Sequence, residues 1–350
     1  MTRHFDRFAS CALLVVLSSA LFHASAQQQV PAAPAQTPTA PSQDATAPAA
    51  QAAQAAQNPS GPAPTGPPTF PKPDPKNFTA TSPSKEVIDG FLQSSWGYDP
   101  DRLWQVQGIM KTAVEGVTKV IIYIGDKTGK QKPTAFLFFV LPDGKHIIAG
   151  DDVYPFGDHP YAANRATLQQ NANGPFRGSA SKDLELVEFA DFQCPHCKTA
   201  QANMDKLAVD FPKARIVFEN YPLENIHPQS KKAAAFGVCV AKLGGSTAFF
   251  QFADAVFDGQ DGLATADGTT LTLNSAVTKS GQDPQKVAAC VDTPATAQDV
   301  ASSIKLAQDL NINETPMLMI NGRQVPIGGI PYENLKNIIA YQAKVDGVTP

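Results

Sequence analysis

Long clusters of lysine and arginine are missing from this 350-residue chain, whose formal net charge is -4. Nucleic acid and anionic membrane surfaces are therefore poor first partners. The longest apolar run near the N-terminus, around Ala12 to Leu17, falls short of the ~20 residues a spanning helix needs. No later segment is read as a membrane span. Nor is there a second CxxC or an HxxxH pair, so the four ligands of a structural zinc site cannot be assembled and no metal is expected. Charged residues are scarce overall, at 17%, while 43% of residues are hydrophobic, enough for ordinary cores in about two domains.

The N-terminus reads as an export signal over residues 1–26. Arg3 and Arg7 precede the short apolar run, and Ala24-Ser25-Ala26 offers a cleavage site near Ala26. Cleavage would remove Cys11 and leave Cys194, Cys197, Cys239 and Cys290. Export and an even count predict a periplasmic or otherwise extracytoplasmic, oxidising location. Residues 27–78 are Pro/Ala/Gln-rich. Between residues 27 and 75 lie 13 of the 30 prolines, and Asp44 is the only charge between Gln27 and Pro71. Such a stretch cannot bury enough apolar surface to offset chain entropy, so it is predicted to be a disordered tether.

Residues 84–157 predict a small α+β domain. Ser84 is placed to cap a helix carrying Val87, Ile88, Phe91 and Leu92. Thr118 to Ile124 and Thr134 to Leu141 are strand-like, and Asp143-Gly144 signals a hairpin into Lys145 to Ile148. Residues 158–180 read as a connector holding a short helix over Tyr161 to Asn171. An α/β domain follows over residues 181–345, with strands at Leu184 to Phe189 and Arg215 to Phe218 and a helix from Pro195 to about Phe211. Helical patterns occupy the insert 228–310, notably Ser230 to Leu243 and Ala248 to Phe257. A hairpin across Asn321-Gly322 and a helix from Tyr332 to Ala343 close the domain.

The chemistry concentrates at Cys194-Pro195-His196-Cys197. A helix that starts between two cysteines places the first sulfur at unpaired N–H groups and the positive end of the helix dipole. Cys194 is thus the expected nucleophile, exposed at the helix start, and Cys197 the resolving thiol. Pro195 suits a first helical turn, because its missing N–H would be unpaired there anyway. His196 is a polarisable neighbour that favours the thiolate, which stabilises the reduced form and makes the disulfide more oxidising. A structural disulfide is the competing reading of the motif. Glu188 shares a strand face with Leu184 and Leu186, so its carboxyl should be desolvated and fit to relay a proton for Cys197. Glu185, on the other face, is expected to reach solvent. Thr315-Pro316, just before an apolar strand, is a plausible cis bond. His227, before the insert, reads as a solvent-facing loop residue, with a place lining the cleft as the alternative.

The stretch Glu188 to Cys197, with Thr315-Pro316 ahead of Met317 to Gly322, resembles the DsbA-like thiol–disulfide oxidoreductases over roughly residues 178 to 345. The resemblance implies a thioredoxin-like fold in which residues 228–310 are an inserted helical cap. It implies that Pro316 is cis against the CxxC, that the Thr315 backbone pairs with an extended substrate, and that Cys239 and Cys290 form a structural disulfide. Two buried free thiols remain the alternative for that pair. The Pro-His dipeptide is associated with oxidising members. No external cofactor is implied. The implied partners are reduced or unfolded exported proteins and a membrane redox protein that resets the active site. Asp143 to Gly150, followed by Tyr154, is similar to a hairpin in the N-terminal domain of the DsbC/DsbG-like isomerases. That likeness implies a homodimer through residues 84–157 and a dimeric isomerase or reductase as the rival reading. A non-enzymatic binding or chaperone module with a structural CxxC is a rival of another class.

Overall fold

A computed structural model describes residues 69–129 and 132–349. The export signal and most of the Pro/Ala/Gln-rich stretch lie outside the described residues. Ser84 does cap the first helix, α1 (Lys85–Trp96), by accepting from the Val87 N–H. The helix lies on an antiparallel sheet of five strands in sequence order: β1 (Arg102–Lys111), β2 (Thr118–Asp126), β3 (Thr134–Val140), β4 (His146–Ala149) and β5 (Asp152–Pro155). Ile88, Phe91, Leu92 and Trp96 bury against Val106, Ile122, Phe136 and Phe138.

Strand β1 departs from clean alternation because its register shifts between Val106 and Gly108. The bulge lets Val106 and Ile109, three residues apart, enter one core, which hides the strand from a period-2 reading. Strand β5 is a short edge closed by Pro155, a composition that strand patterns miss.

Helix α2 (Ala162–Asn171) leads into a second sheet. Its strands are β6 (Phe176–Gly178), β7 (Glu185–Ala190), β8 (Arg215–Asn220), β9 (Met317–Ile320) and β10 (Arg323–Pro326), in the order β10-β9-β7-β8-β6. Only the β7–β8 pair is parallel. Strand β6 lies inside the stretch expected to be a connector, yet it pairs with β8 and extends this sheet. Helix α3 (Pro195–Asp210) crosses from β7 to β8. With α8 (Tyr332–Val345) it covers one face, where Met204, Leu207, Leu335 and Ile339 meet Leu186, Ile216 and Leu318. Helices α2 and α7 (Pro294–Asp309) cover the other face through Leu168, Leu306 and Ala307.

The insert between β8 and β9 contains α4 (Ser230–Asp258), α5 (Ala266–Lys279), α6 (Pro284–Val291) and α7. At 29 residues with a mean hydropathy of 1.4 in its most apolar window, α4 is long and apolar enough to cross a membrane, contrary to the expectation that no such segment follows the N-terminus. It is nonetheless broken at Gly245, whose φ of 74° is left-handed, and it buries Phe236, Val240, Phe249 and Phe252 in the insert's core. The break explains the two separate periodic stretches in the sequence. Cys239 on α4 and Cys290 on α6 form a disulfide.

The two sheets are joined by Arg323. Its guanidinium donates to the Ser94 and Ser95 carbonyls at the end of α1 and lies over the Tyr98 and Tyr161 rings. Tyr341 on α8 adds a reciprocal pair with Gln93, donating to its carbonyl and accepting from its amide.

Candidate active site

Strand β7 delivers the chain to Asp191, and three residues later Cys194 is the N-cap of α3, with Pro195 in the first turn. The proline costs no hydrogen bond there, and its fixed φ suits the helix. The Cys194 N–H donates to the Asp191 carbonyl at 3.1 Å, and the Cys197 N–H to the Cys194 carbonyl at 3.1 Å. Both cysteines are free thiols in this structure.

Cys194 is only 4% exposed, not open to solvent as its position suggests. The insert packs beside it, and the Thr315 carbonyl lies 3.6 Å from its sulfur. The Thr315-Pro316 bond is cis. The thiol is held down to about 5, first by a hydrogen bond from Cys197, then by the Thr315 side chain and the Cys197 and His196 backbone, against the opposing effect of burial. Cys197 has the opposite environment. It is fully buried, and desolvation followed by the neighbouring Cys194 sulfur pushes its thiol well above the ordinary value. Two identical, buried side chains one turn apart are thereby split into a thiolate former and a proton holder.

Glu188 sits beneath them at 3% exposure, on the α3 face of the sheet. Burial pushes its carboxyl up to about 7, and a hydrogen bond from Gln201 partly opposes that. His196 is exposed. Gly328, in the loop after β10, is packed so that any side chain would come within 4 Å of both His196 and Pro316. The Ile327 N–H donates to the Pro316 carbonyl at 3.1 Å, anchoring that loop to the proline. Cys194, Cys197, His196, Pro195, Glu188, Thr315 and Pro316 thus surround one sulfur pair. Cys239 and Cys290 pair with each other on α4 and α6 of the insert, whose core cluster also takes in Cys194 and Cys197.

Two further sequence expectations fail. Glu185 does not reach solvent: it is 1% exposed, 3.4 Å from Arg215 Nε and 4.0 Å from Lys182 Nζ. Its face of the sheet is roofed by α2 and α7; burial raises its carboxyl, and Lys182 and Arg215 oppose that only in part. His227 is not a solvent-facing loop residue either. Its Nδ1 lies 2.9 Å from Asp191 Oδ2, and its side chain is 16% exposed.

Sequence reading missed Gln201, Gln260 and Asp191. The Gln260 amide donates to the Phe192 and Cys194 carbonyls at 2.8 and 2.9 Å, tying the insert to the motif. Gln201 had a local signal, since residues i and i+4 on a helix share a face and Gln201 follows Cys197 by four. Gln260 lies 66 residues from Cys194 and had none. Among the described residues no three His, Cys, Asp or Glu side chains are grouped as a metal ion would require.

Residues 170–340 match the family model described as Thioredoxin. Among curated proteins, the chain is 28% identical over 148 residues to the Na(+)/H(+) antiporter NhaA 3 of Salinispora tropica, covering 42% of this chain and 22% of that protein. It is 29% identical over 149 residues to the Na(+)/H(+) antiporter NhaA 1 of Mycolicibacterium vanbaalenii, covering 42% and 23%. The match therefore spans less than a quarter of the length of these curated relatives. Among solved structures, a thioredoxin-like oxidoreductase from Silicibacter pomeroyi is 24% identical, with 51% of this chain and 98% of that chain covered and a TM-score of 0.44. ScsC from Proteus mirabilis is 22% identical, covering 52% and 78%, with a TM-score of 0.43. BdbD from Bacillus subtilis is 23% identical, covering 49% and 93%, with a TM-score of 0.44.

Proposed function

We propose that this chain, whose residues 170–340 form a thioredoxin-like domain, is an exported thiol–disulfide oxidoreductase working in the oxidising direction. The observation that carries the reading is the split between the two thiols of the motif. With Cys194 held at about 5, it is mostly thiolate at pH 7, whereas burial keeps Cys197 protonated. Stabilising that thiolate stabilises the reduced protein, which makes the Cys194–Cys197 disulfide the better electron acceptor.

A thiolate of a reduced substrate attacks Cys194 in the disulfide form. The Cys194–Cys197 bond breaks, a mixed disulfide forms, and Cys197 leaves with the electron pair. Glu188, near neutrality at about 7, relays the proton that Cys197 then holds. A second substrate thiolate attacks the substrate sulfur of the mixed disulfide and expels Cys194 as a thiolate. The substrate has lost two electrons and the motif has gained them, so no external cofactor enters. The Thr315 carbonyl lies beside the Cys194 sulfur, and the Thr315 backbone is the proposed partner of an extended substrate segment. Exported proteins with reduced cysteines are the proposed substrates, and a membrane redox partner returns the motif to the disulfide. The signal-like N-terminus and the Cys239–Cys290 disulfide support an extracytoplasmic, oxidising location.

Replacing Cys194 with Ser tests the reading against a merely structural motif: oxidation of a dithiol peptide should disappear, and unchanged oxidation would refute it. A dimeric isomerase or reductase is kept as the second reading because the α+β unit over residues 84–157 lies outside the matched family model. A stable dimer in solution, together with a reducing potential, would favour it.

A further inference from the structure

We infer that Asp191 and His227 are positioning residues of the redox centre, fixing the backbone N–H that receives the charge leaving on Cys197. The inference rests on the thiol–disulfide reading above. Asp191 touches both cysteines through its main chain: its N–H points at Cys197 Sγ at 3.4 Å, and its carbonyl accepts from the Cys194 N–H at 3.1 Å. When a substrate thiolate attacks Cys194, the Cys194–Cys197 bond breaks and its electron pair moves onto Cys197. That sulfur is fully buried, so the developing charge has no water to solvate it. A preorganised N–H aimed at the leaving sulfur lowers the barrier in the way oxyanion-hole donors do.

The side chain of Asp191 is what holds that N–H in place. Its carboxylate is fully buried and accepts from the Gln193 N–H at 2.7 Å, the Leu223 N–H at 2.8 Å and His227 Nδ1 at 2.9 Å. The first contact closes the turn into the motif. The other two clamp it to the segment joining β8 to α4, which is 32 and 36 residues away in sequence. His227 is thus the side-chain donor that ties the insert to the peptide beside Cys197. Gln193 repeats the tie, accepting from the Gln229 N–H at 2.8 Å and donating to the Leu263 carbonyl at 3.0 Å.

The test uses the full chain with His227→Leu and His227→Asn, since an asparagine amide can replace the Nδ1–H donor. Both variants are first compared with wild type by thermal melting, and then each disulfide form is mixed with a dithiol peptide and mixed-disulfide formation is timed. His227→Leu should react about tenfold more slowly, the cost of loosening a hydrogen bond to a charged group, and His227→Asn should return to within about twofold of wild type. Equal rates for all three proteins overturn the inference while leaving disulfide exchange intact. Equal slowing in both variants, matched by equal loss of melting temperature, also overturns it, because His227 would then serve the fold alone. Failure of the wild type to react refutes the exchange reading itself.

Discussion

The Gln201 side-chain N–H lies 2.9 Å from Glu188 Oε1, and the same amide donates to the Cys197 carbonyl at 3.2 Å. One side chain therefore joins the buried acid of β7 to the turn of α3 that holds Cys197. Among the described residues no lysine or arginine forms an ion pair with Glu188, so burial dominates and the carboxyl rises to about 7. The acid can hold or release a proton at the pH where exchange must run.

Replacing Glu188 with Gln should remove an inflection near pH 7 from the pH–rate profile of disulfide exchange. It should also change the pH dependence of stability. A folded value raised from 4.5 to about 7 means that stability is fully present below 4.5 and is lost as pH rises through about 7. The neutral variant escapes that loss, so at pH 8 it should gain up to about 3 kcal/mol on wild type relative to the same comparison at pH 4.5. Denaturant melts at the two pH values check this, and parallel behaviour of the two proteins would contradict it.

In the reduced protein, Cys194 should titrate near pH 5, followed by thiolate absorbance or alkylation rate against pH. The depressed value also makes the thiolate's contribution to reduced-state stability complete above about 9 and lost as pH falls through about 5. A wild-type midpoint near 8.5 would mean the sulfur is an ordinary thiol.

Changing both Cys239 and Cys290 to Ser should cost roughly 4 kcal/mol of stability, because the bridge closes a loop spanning 51 residues. Exchange at Cys194 should survive, since the hydrogen-bond partner of both bridge sulfurs is the Thr296 hydroxyl on α7. Loss of exchange in a protein that still melts cooperatively would show that the insert's bridge has a part in the chemistry.

Arg323→Ala should loosen the α1 end of the first sheet from the second. The arginine is 2% exposed, and its removal leaves the Ser94 and Ser95 carbonyls without that donor. A cost of about 2–3 kcal/mol is expected, with faster proteolysis between residues 97 and 101. An unchanged melt and cleavage pattern would show that the joint does not depend on this side chain.

The parts of this architecture that could be read from sequence are those with a local pattern. Cys194 and Cys197 are three apart, Glu188 alternates with Leu184 and Leu186, and Asn321-Gly322 marks its own turn. Strand β1 escaped because a bulge at Gln107 breaks its alternation. Burial of Glu185 escaped because its ion-pair partner Arg215 lies on the neighbouring strand. The Asp191–His227 contact spans 36 residues and depends on how the segment after β8 folds back over the motif, which no short-range periodicity encodes. Likewise, Cys194 sits at a helix start that looks open in sequence, but a carbonyl 121 residues away covers it.

The central claim is that the Cys194–Cys197 pair is an oxidising dithiol. Equilibration of the full chain with glutathione buffers, with the thiols of the motif counted by mass, measures it directly. A potential less negative than about -200 mV is predicted, because the Cys194 thiolate stabilises the reduced form. A value near the ~-270 mV of a reducing thioredoxin would contradict it.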